Sequence, residues 1–225
     1  MKVYSIAIDG PSGAGKSTMA RSLAQELGFL YVDTGAIYRT VGLYVARQGG
    51  DCAKAEEVEP CLKTIQIRLD YGPDGQQRMH LGDEDVTQAI RDNAVSRYAS
   101  QVSALPAVRA FLLHMQRELA RTQSVIMDGR DIGTVVLPQA DLKIFLTASA
   151  ETRAQRRHKE LAEKGQTIPF ETVLEEIRQR DDADTHRAIA PLKKAEDAVE
   201  LDTSCLTLSE SLKALRTIVK ERLKF

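Results

Sequence analysis

A doubly wound α/β domain with a five-stranded parallel sheet is the fold this sequence predicts, and three observations predict it. Five short apolar runs, residues 3–8, 29–32, 125–128, 142–146 and 199–202, alternate with segments of helical periodicity. A glycine-rich turn, Gly10 to Gly15, joins the first run to the first helix. One stretch, residues 51–91, breaks the alternation and reads as an insert into the frame rather than part of it.

Taken in order, the run 3–8 is a short buried strand. The helix Lys16–Leu27 follows, with Met19, Ala20, Leu23, Ala24 and Leu27 at helical spacing and Gly28 as its stop. After the strand 29–32, the segment 34–48 places Ile37, Val41, Tyr44 and Val45 on one helical side. Within the insert, residues 65–71 and 77–81 are strand-like and flank Gly72-Pro73-Asp74-Gly75, a strong hairpin signal. Helices are expected over 92–102 and 107–121, the second starting just after Pro106. Residues 151–186 read as two charged helices parted by Lys164-Gly165, and Leu208, Leu212, Leu215, Ile218 and Val219 mark a final amphipathic helix. The expected organisation is a single domain, 1–225, with 51–91 as an insert and 151–168 as a mobile element.

Composition narrows the function. With 225 residues and 43% hydrophobic content, the chain can bury one substantial core. Lys plus Arg (31) nearly balances Asp plus Glu (32), so no single-sign field draws the whole protein onto nucleic acid or a membrane, and any anion site must be local. The absence of tryptophan and 5% aromatic content argue further against a nucleic-acid platform. Cys52, Cys61 and Cys205 form neither an even framework nor a CxxC pair, which argues against disulfides and structural zinc. The run before Asp9 is too short for a signal core and no segment approaches transmembrane length, so a cytoplasmic protein is expected.

Residues 10–17, GPSGAGKS, fit G-x-x-x-x-G-K-[ST] with a strand before and a helix after. Glycines allow successive N–H groups to turn around phosphate oxygens, the helix N-terminus adds partial positive charge, and Lys16 adds a full one. Ser17 offers a hydroxyl to magnesium carried with ATP. The loop fixes nucleotide binding but not function, since motors, switches and small-molecule kinases share it.

Two further clusters stand at strand ends. Residues 33–39, DTGAIYR, and 128–131, DGRD, pair aspartates with arginines, which suits a small anionic acceptor. Arg180, Asp184 and Arg187, at i, i+4 and i+7, fall on one helix face, and Arg153, Arg156 and Arg157 on another. Both sets also fit plain solvated charged helices. The alternative for the second is a lid whose arginines neutralise the transferring phosphoryl and exclude water.

Taken together, IDGPSGAGKST, VDTGAIYR, SQVSALPAVR, MDGRDIGTVV, the helix with Arg156-Arg157, and RDDADTHRAIAPL resemble the bacterial cytidylate kinases of the nucleoside monophosphate kinase family over nearly the whole chain. The insert looks like the extended CMP-binding region of that type. The resemblance implies that Gly10, Pro11, Ser12, Gly13, Ala14, Gly15, Lys16, Ser17 and Thr18 hold ATP, while Ser100, Arg109 and Asp131 face the cytosine base. It implies that Arg39 and Arg130 hold the acceptor phosphate, Asp184 with Arg180 the ribose, and Arg187 a further polar contact. Thr34 stands where serine is also common in the family and keeps the hydroxyl; His186 sits inside the last motif.

The expected reaction moves the γ-phosphoryl of ATP to CMP or dCMP, with Lys16, Arg130, Arg153 and Arg157 on the transition state, magnesium as the cofactor and a monomer as the working form. The acceptor phosphate, with a second pKa of about 6, is already mostly dianionic and needs no base, so Asp131 is assigned to base reading rather than proton abstraction. A kinase serving UMP and CMP alike, and a nucleotide-binding switch, are the competing readings; the insert and the DGRD motif weigh against the first, and the lack of an NKxD-like segment against a GTP switch.

Overall fold

The structure, a computed structural model, describes residues 2–224, so Met1 and Phe225 of the expected 1–225 domain lie outside the described residues. Its strands are β1 (Ser5–Asp9), β2 (Leu30–Asp33), β3 (Ile67–Tyr71), β4 (Gln77–Leu81), β5 (Glu84–Asp85), β6 (Val125–Gly129), β7 (Leu142–Thr147) and β8 (Val199–Asp202). Its helices are α1 (Lys16–Leu27), α2 (Thr34–Arg47), α3 (Ala55–Leu62), α4 (Asn93–Ser103), α5 (Pro106–Thr122), α6 (Ala150–Glu163), α7 (Phe170–His186) and α8 (Leu208–Leu223). The parallel five-stranded sheet runs β2-β6-β1-β7-β8, the α/β arrangement expected, and an antiparallel sheet runs β3-β4-β5. The chain divides into two compact units, one of residues 1–3 with 30–125 and one of residues 4–29 with 126–225.

The second unit carries the phosphate loop. Its strands β1 and β6 are buried on both faces, which is why they read as apolar runs: Ile6, Ala7, Ile8, Ile126 and Met127 are fully buried. Ile6 to Asp9 pair in parallel with Leu142 to Phe145, and Ile144 to Thr147 with Val199 to Asp202. This register brings the carboxyl ends of β1 and β7 together, the edge at which ligands bind in such sheets. Gly28 ends α1 in the left-handed conformation (φ 67), its N–H bonded to Ala24 O, as its sequence position predicts. α6 and α7 form a satellite core of Ala154, Leu161, Val173, Leu174 and Ile177. A reciprocal capping box between Thr207 and Glu210 starts α8.

In the other unit α2 packs against α4 so closely that a Cβ on Gly42 would lie 2.7 Å from Tyr98 Cβ. Asp92 caps α4 through Ala94 N, and α5 starts with Pro106 in its first turn. Residues 51–91 hold more than the hairpin expected. They include α3, whose apolar pattern is hidden by three glutamates and by Pro60 inside it, a third strand β5, and a 3₁₀ turn at Ala89–Arg91.

Candidate active site

The phosphate loop owes its shape to three glycines. Gly10, Gly13 and Gly15 take φ of 151°, 76° and 91°, values open to glycine and strained for other residues. At Gly10 any side chain would also run into the Leu146 carbonyl oxygen. The turn delivers Lys16 into a buried position where Nζ donates to Pro11 O at 2.7 Å. Burial, followed by the positive charge of Arg130, pulls its pKa down to about 7, against the opposing pull of Asp128 and Asp184. The lysine is therefore readied for an anion that restores its charge. Ser17 Oγ donates to Asp128 Oδ2 at 3.0 Å. A hydroxyl and a carboxylate side by side are hard oxygen donors of the kind magnesium takes when it is carried by phosphates.

Beyond β6 the chain turns sharply into a π-type turn at Ile132–Val136. Asp9, at the end of β1, accepts from Ile132 N at 2.8 Å and Gly133 N at 2.7 Å and so fixes the backbone just after Asp131. Burial lifts the Asp9 pKa to about 6; the two backbone donors resist this, and the neighbouring charge of Asp131 adds to it. Asp131 is buried, and Arg187 Nη2 lies 3.3 Å from its Oδ1. Arg130 Nε donates to Asp184 Oδ2 at 2.7 Å. Burial alone would raise the Asp184 pKa, but Arg130, with help from Arg180 and Arg187, holds it below the usual range.

The expected shared helix face of Arg180, Asp184 and Arg187 needs correction. α7 ends at His186, and Arg187 is already in extended backbone (φ −61°, ψ 139°). It reaches Asp131 because the chain has left the helix, and its Nε is tied to Ala190 O at 2.7 Å.

On α6 the arginines divide. Arg153 is buried, with its guanidinium on both carboxylate oxygens of Asp181 (2.9 and 2.5 Å), on Ser12 O (3.0 Å) and on Ala148 O (2.8 Å). It is thus built into the back of the phosphate loop. Arg156 bonds Thr203 O at 2.8 Å, while Arg157 is partly exposed and pairs with Glu160 of its own helix at 2.8 Å.

In the unit of residues 30–125, Asp33 caps α2 through Ala36 N at 2.8 Å and gathers two arginines on Oδ2, Arg39 at 2.9 Å and Arg91 at 3.1 Å. Burial presses its pKa upward, and the two guanidiniums more than offset that, holding it low. Thr34 is buried at the start of α2. Arg109 is buried, donates to Ser103 O at 3.1 Å and lies over the Tyr38 ring at 5.7 Å; Ser103 in turn donates to Ser100 O at 2.9 Å. Thr34, Arg39, Ser100 and Arg109 are therefore set on one scaffold of α2, α4 and the start of α5.

Sequence reasoning did not single out Asp9, Arg91, Asp181 or Gln77, and it quoted Asp33 and Asp128 without roles. The two quoted acids end apolar strand runs, which is a readable signal, and Asp181 lies within the quoted stretch RDDADTHRAIAPL; Arg91 and Gln77 carry none.

The cytidylate kinase family model matches residues 6–221. Cytidylate kinase of Streptococcus pyogenes serotype M4 (strain MGAS10750) is 52% identical over 211 residues, 92% of each chain. That of Streptococcus equi subsp. equi (strain 4047) is 50% identical over 212 residues, 93% of this chain and 92% of the relative. Among solved structures, an uncharacterized protein from Eubacterium ventriosum ATCC 27560 superposes with a TM-score of 0.53 at 11% identity, covering 98% of this chain and 100% of that one, a likeness of fold alone. By the family match and the identity of these relatives, the chain is a member of the cytidylate kinase family.

Proposed function

We propose that this protein transfers the γ-phosphoryl group of ATP to CMP or dCMP, yielding ADP and CDP or dCDP. The observation that carries this reading is a phosphate loop with a buried Lys16 in a chain that also gathers largely buried arginines on carboxylates: Arg39 on Asp33, Arg130 on Asp184 and Arg187 on Asp131. Such arginines suit an acceptor that is itself an anion.

Gly10 to Thr18 cradle the ATP phosphates, and Lys16, reprotonated beside them, neutralises charge on the transferred group. Magnesium, held with the phosphates by Ser17 and Asp128, supplies further charge neutralisation when bound. Arg153 keeps the loop in shape from Ser12 O and adds positive potential behind it. Arg157 acts only if the segment 151–168 closes as a lid and draws it from Glu160. Arg39 and Arg130 take the acceptor phosphate, Asp184 with Arg180 the ribose, and Arg187 steadies Asp131.

The base is read by Ser100, Arg109 and Asp131. Cytosine offers an amino donor where uracil offers a carbonyl, so the Asp131 carboxylate accepts from one and repels the other, a mismatch worth up to about 10⁴ in selectivity. Residues 51–91 serve as the acceptor-binding insert, magnesium enters with ATP, and the enzyme works as a cytoplasmic monomer.

The test is ADP release from ATP and magnesium with CMP, dCMP, UMP, AMP or GMP supplied separately. Turnover confined to CMP and dCMP is expected. Equal turnover of UMP would remove the base-reading assignment, and no acceptor-stimulated turnover would remove the kinase reading.

A further inference from the structure

Strand β2 lies at the end of its sheet, so among the described residues one of its edges has no neighbouring strand. Along a strand the backbone groups of alternate residues point to opposite edges. Leu30 N–H bonds Ser124 O at 2.8 Å on one side, and the groups of Tyr31 and Asp33 point to the other. An open edge normally asks for another strand or for cover.

Here two side chains supply the cover. Tyr71 Oη donates to Tyr31 O at 2.9 Å. The Gln77 amide spans both backbone groups of Asp33: its Oε1 accepts from Asp33 N at 2.7 Å and its Nε2 donates to Asp33 O at 3.2 Å. Nε2 also lies 3.2 Å from Met79 Sδ. Gln77 is buried, so its amide does not trade these partners for water.

Tyr71 and Gln77 face each other in the β3–β4 ladder, one on either side of the Gly72–Gly75 turn. This cross-strand pair thus binds the inserted sheet to β2. The residue it grips is the one whose carboxylate caps α2 and holds Arg39 and Arg91.

We propose that Gln77, with Tyr71 beside it, is a positioning residue for the acceptor phosphate: it fixes the Asp33 backbone, and Asp33 fixes the two arginines. This rests on the CMP kinase reading. The insert thereby tunes how tightly the acceptor's phosphate is held without touching the acceptor, and the effect is confined to that phosphate, since neither Gln77 nor Asp33 bonds a residue assigned to ATP.

The test compares wild type with Gln77→Leu, which keeps bulk and removes the amide, and with the milder Tyr71→Phe. In Gln77→Leu the KM for CMP should rise about tenfold, the equivalent of one lost hydrogen bond of about 1.4 kcal/mol. The KM for ATP and the inhibition constant of cytidine, which has no phosphate, should each stay within about twofold, a difference too small to reflect a lost contact. Tyr71→Phe should move only the KM for CMP, by about twofold to threefold, and it decides the matter if Gln77→Leu does not fold. An unchanged KM for CMP, or cytidine and ATP weakened as much as CMP, overturns the proposal while leaving the kinase reading intact. Wild-type protein that neither binds nor turns over CMP overturns the kinase reading, and this proposal with it.

Discussion

The phosphate loop of one unit and the Asp33 cluster of the other gather charge in opposite ways. In the phosphate-loop unit the key cation is placed by contiguous backbone: three glycines, a helix start and Lys16 lie within seven residues of one another. In the unit of residues 30–125 the arginine pair is assembled from distant parts of the chain, with Arg39, Arg91 and Gln77 meeting at Asp33 from separations of 6, 58 and 44 residues. The first arrangement is a property of a short motif. The second is a property of the packed unit, and it can drift when packing changes elsewhere. Substitutions in the first should therefore abolish activity without spreading, and those in the second should grade acceptor affinity.

The largest effect should come from Lys16→Met. Loss of a preorganised cation at the transferring group should lower kcat by about 10³ or more, while thermal unfolding should show no loss of stability, because the removed charge is buried beside Arg130. A kcat within tenfold of wild type, a change of about 1.4 kcal/mol in barrier, would break the contrast between the units.

Next in size is Asp184→Asn, which leaves Arg130 without its anionic partner in a mostly buried site. A cost of about 3 kcal/mol is expected, read by denaturant unfolding. Its pH dependence has a definite sign. The folded pKa of Asp184 lies below its unfolded value, so its stabilisation is complete above the unfolded pKa and is lost as pH falls through the folded one.

Asp9 has the reverse sign. Its pKa is raised to about 6, so between the unfolded carboxylate value of about 3.9 and 6 the native state holds a proton that the unfolded state does not, and stability contributed by this group falls as pH rises. Asp9→Asn should flatten that part of the stability profile, and a profile that keeps its slope would contradict the assignment.

Lys16 links nucleotide binding to protons. Since its pKa in the free protein is about 7 and a triphosphate raises it, ATP binding should take up protons above pH 7, and affinity should fall as pH rises. Calorimetry in buffers of different ionisation enthalpy reads the uptake directly. The smallest structural effect belongs to Arg157→Ala, under about 0.5 kcal/mol because its pair with Glu160 is partly exposed. A clear fall in kcat with unchanged stability would then mark the lid role.

The same contrast explains what could be read from the sequence. Buried parallel strands appear as apolar runs because both faces are covered, and the phosphate loop appears as a motif because its glycines and lysine are contiguous. The helix α3 escaped because Pro60 and the glutamates mask its pattern, and only Val58 of it is fully buried. Arg91 and Gln77 escaped because nothing near them in sequence reveals that a hairpin and a 3₁₀ turn fold back onto Asp33. Arg187 was placed on a helix by spacing alone, whereas the turn that follows His186 gives it its partner.

The most direct measurement is product identification: ATP, magnesium and CMP incubated with the protein and resolved by phosphorus NMR. CDP and ADP should appear together in equal amounts; ADP with inorganic phosphate and no CDP would contradict phosphoryl transfer to CMP.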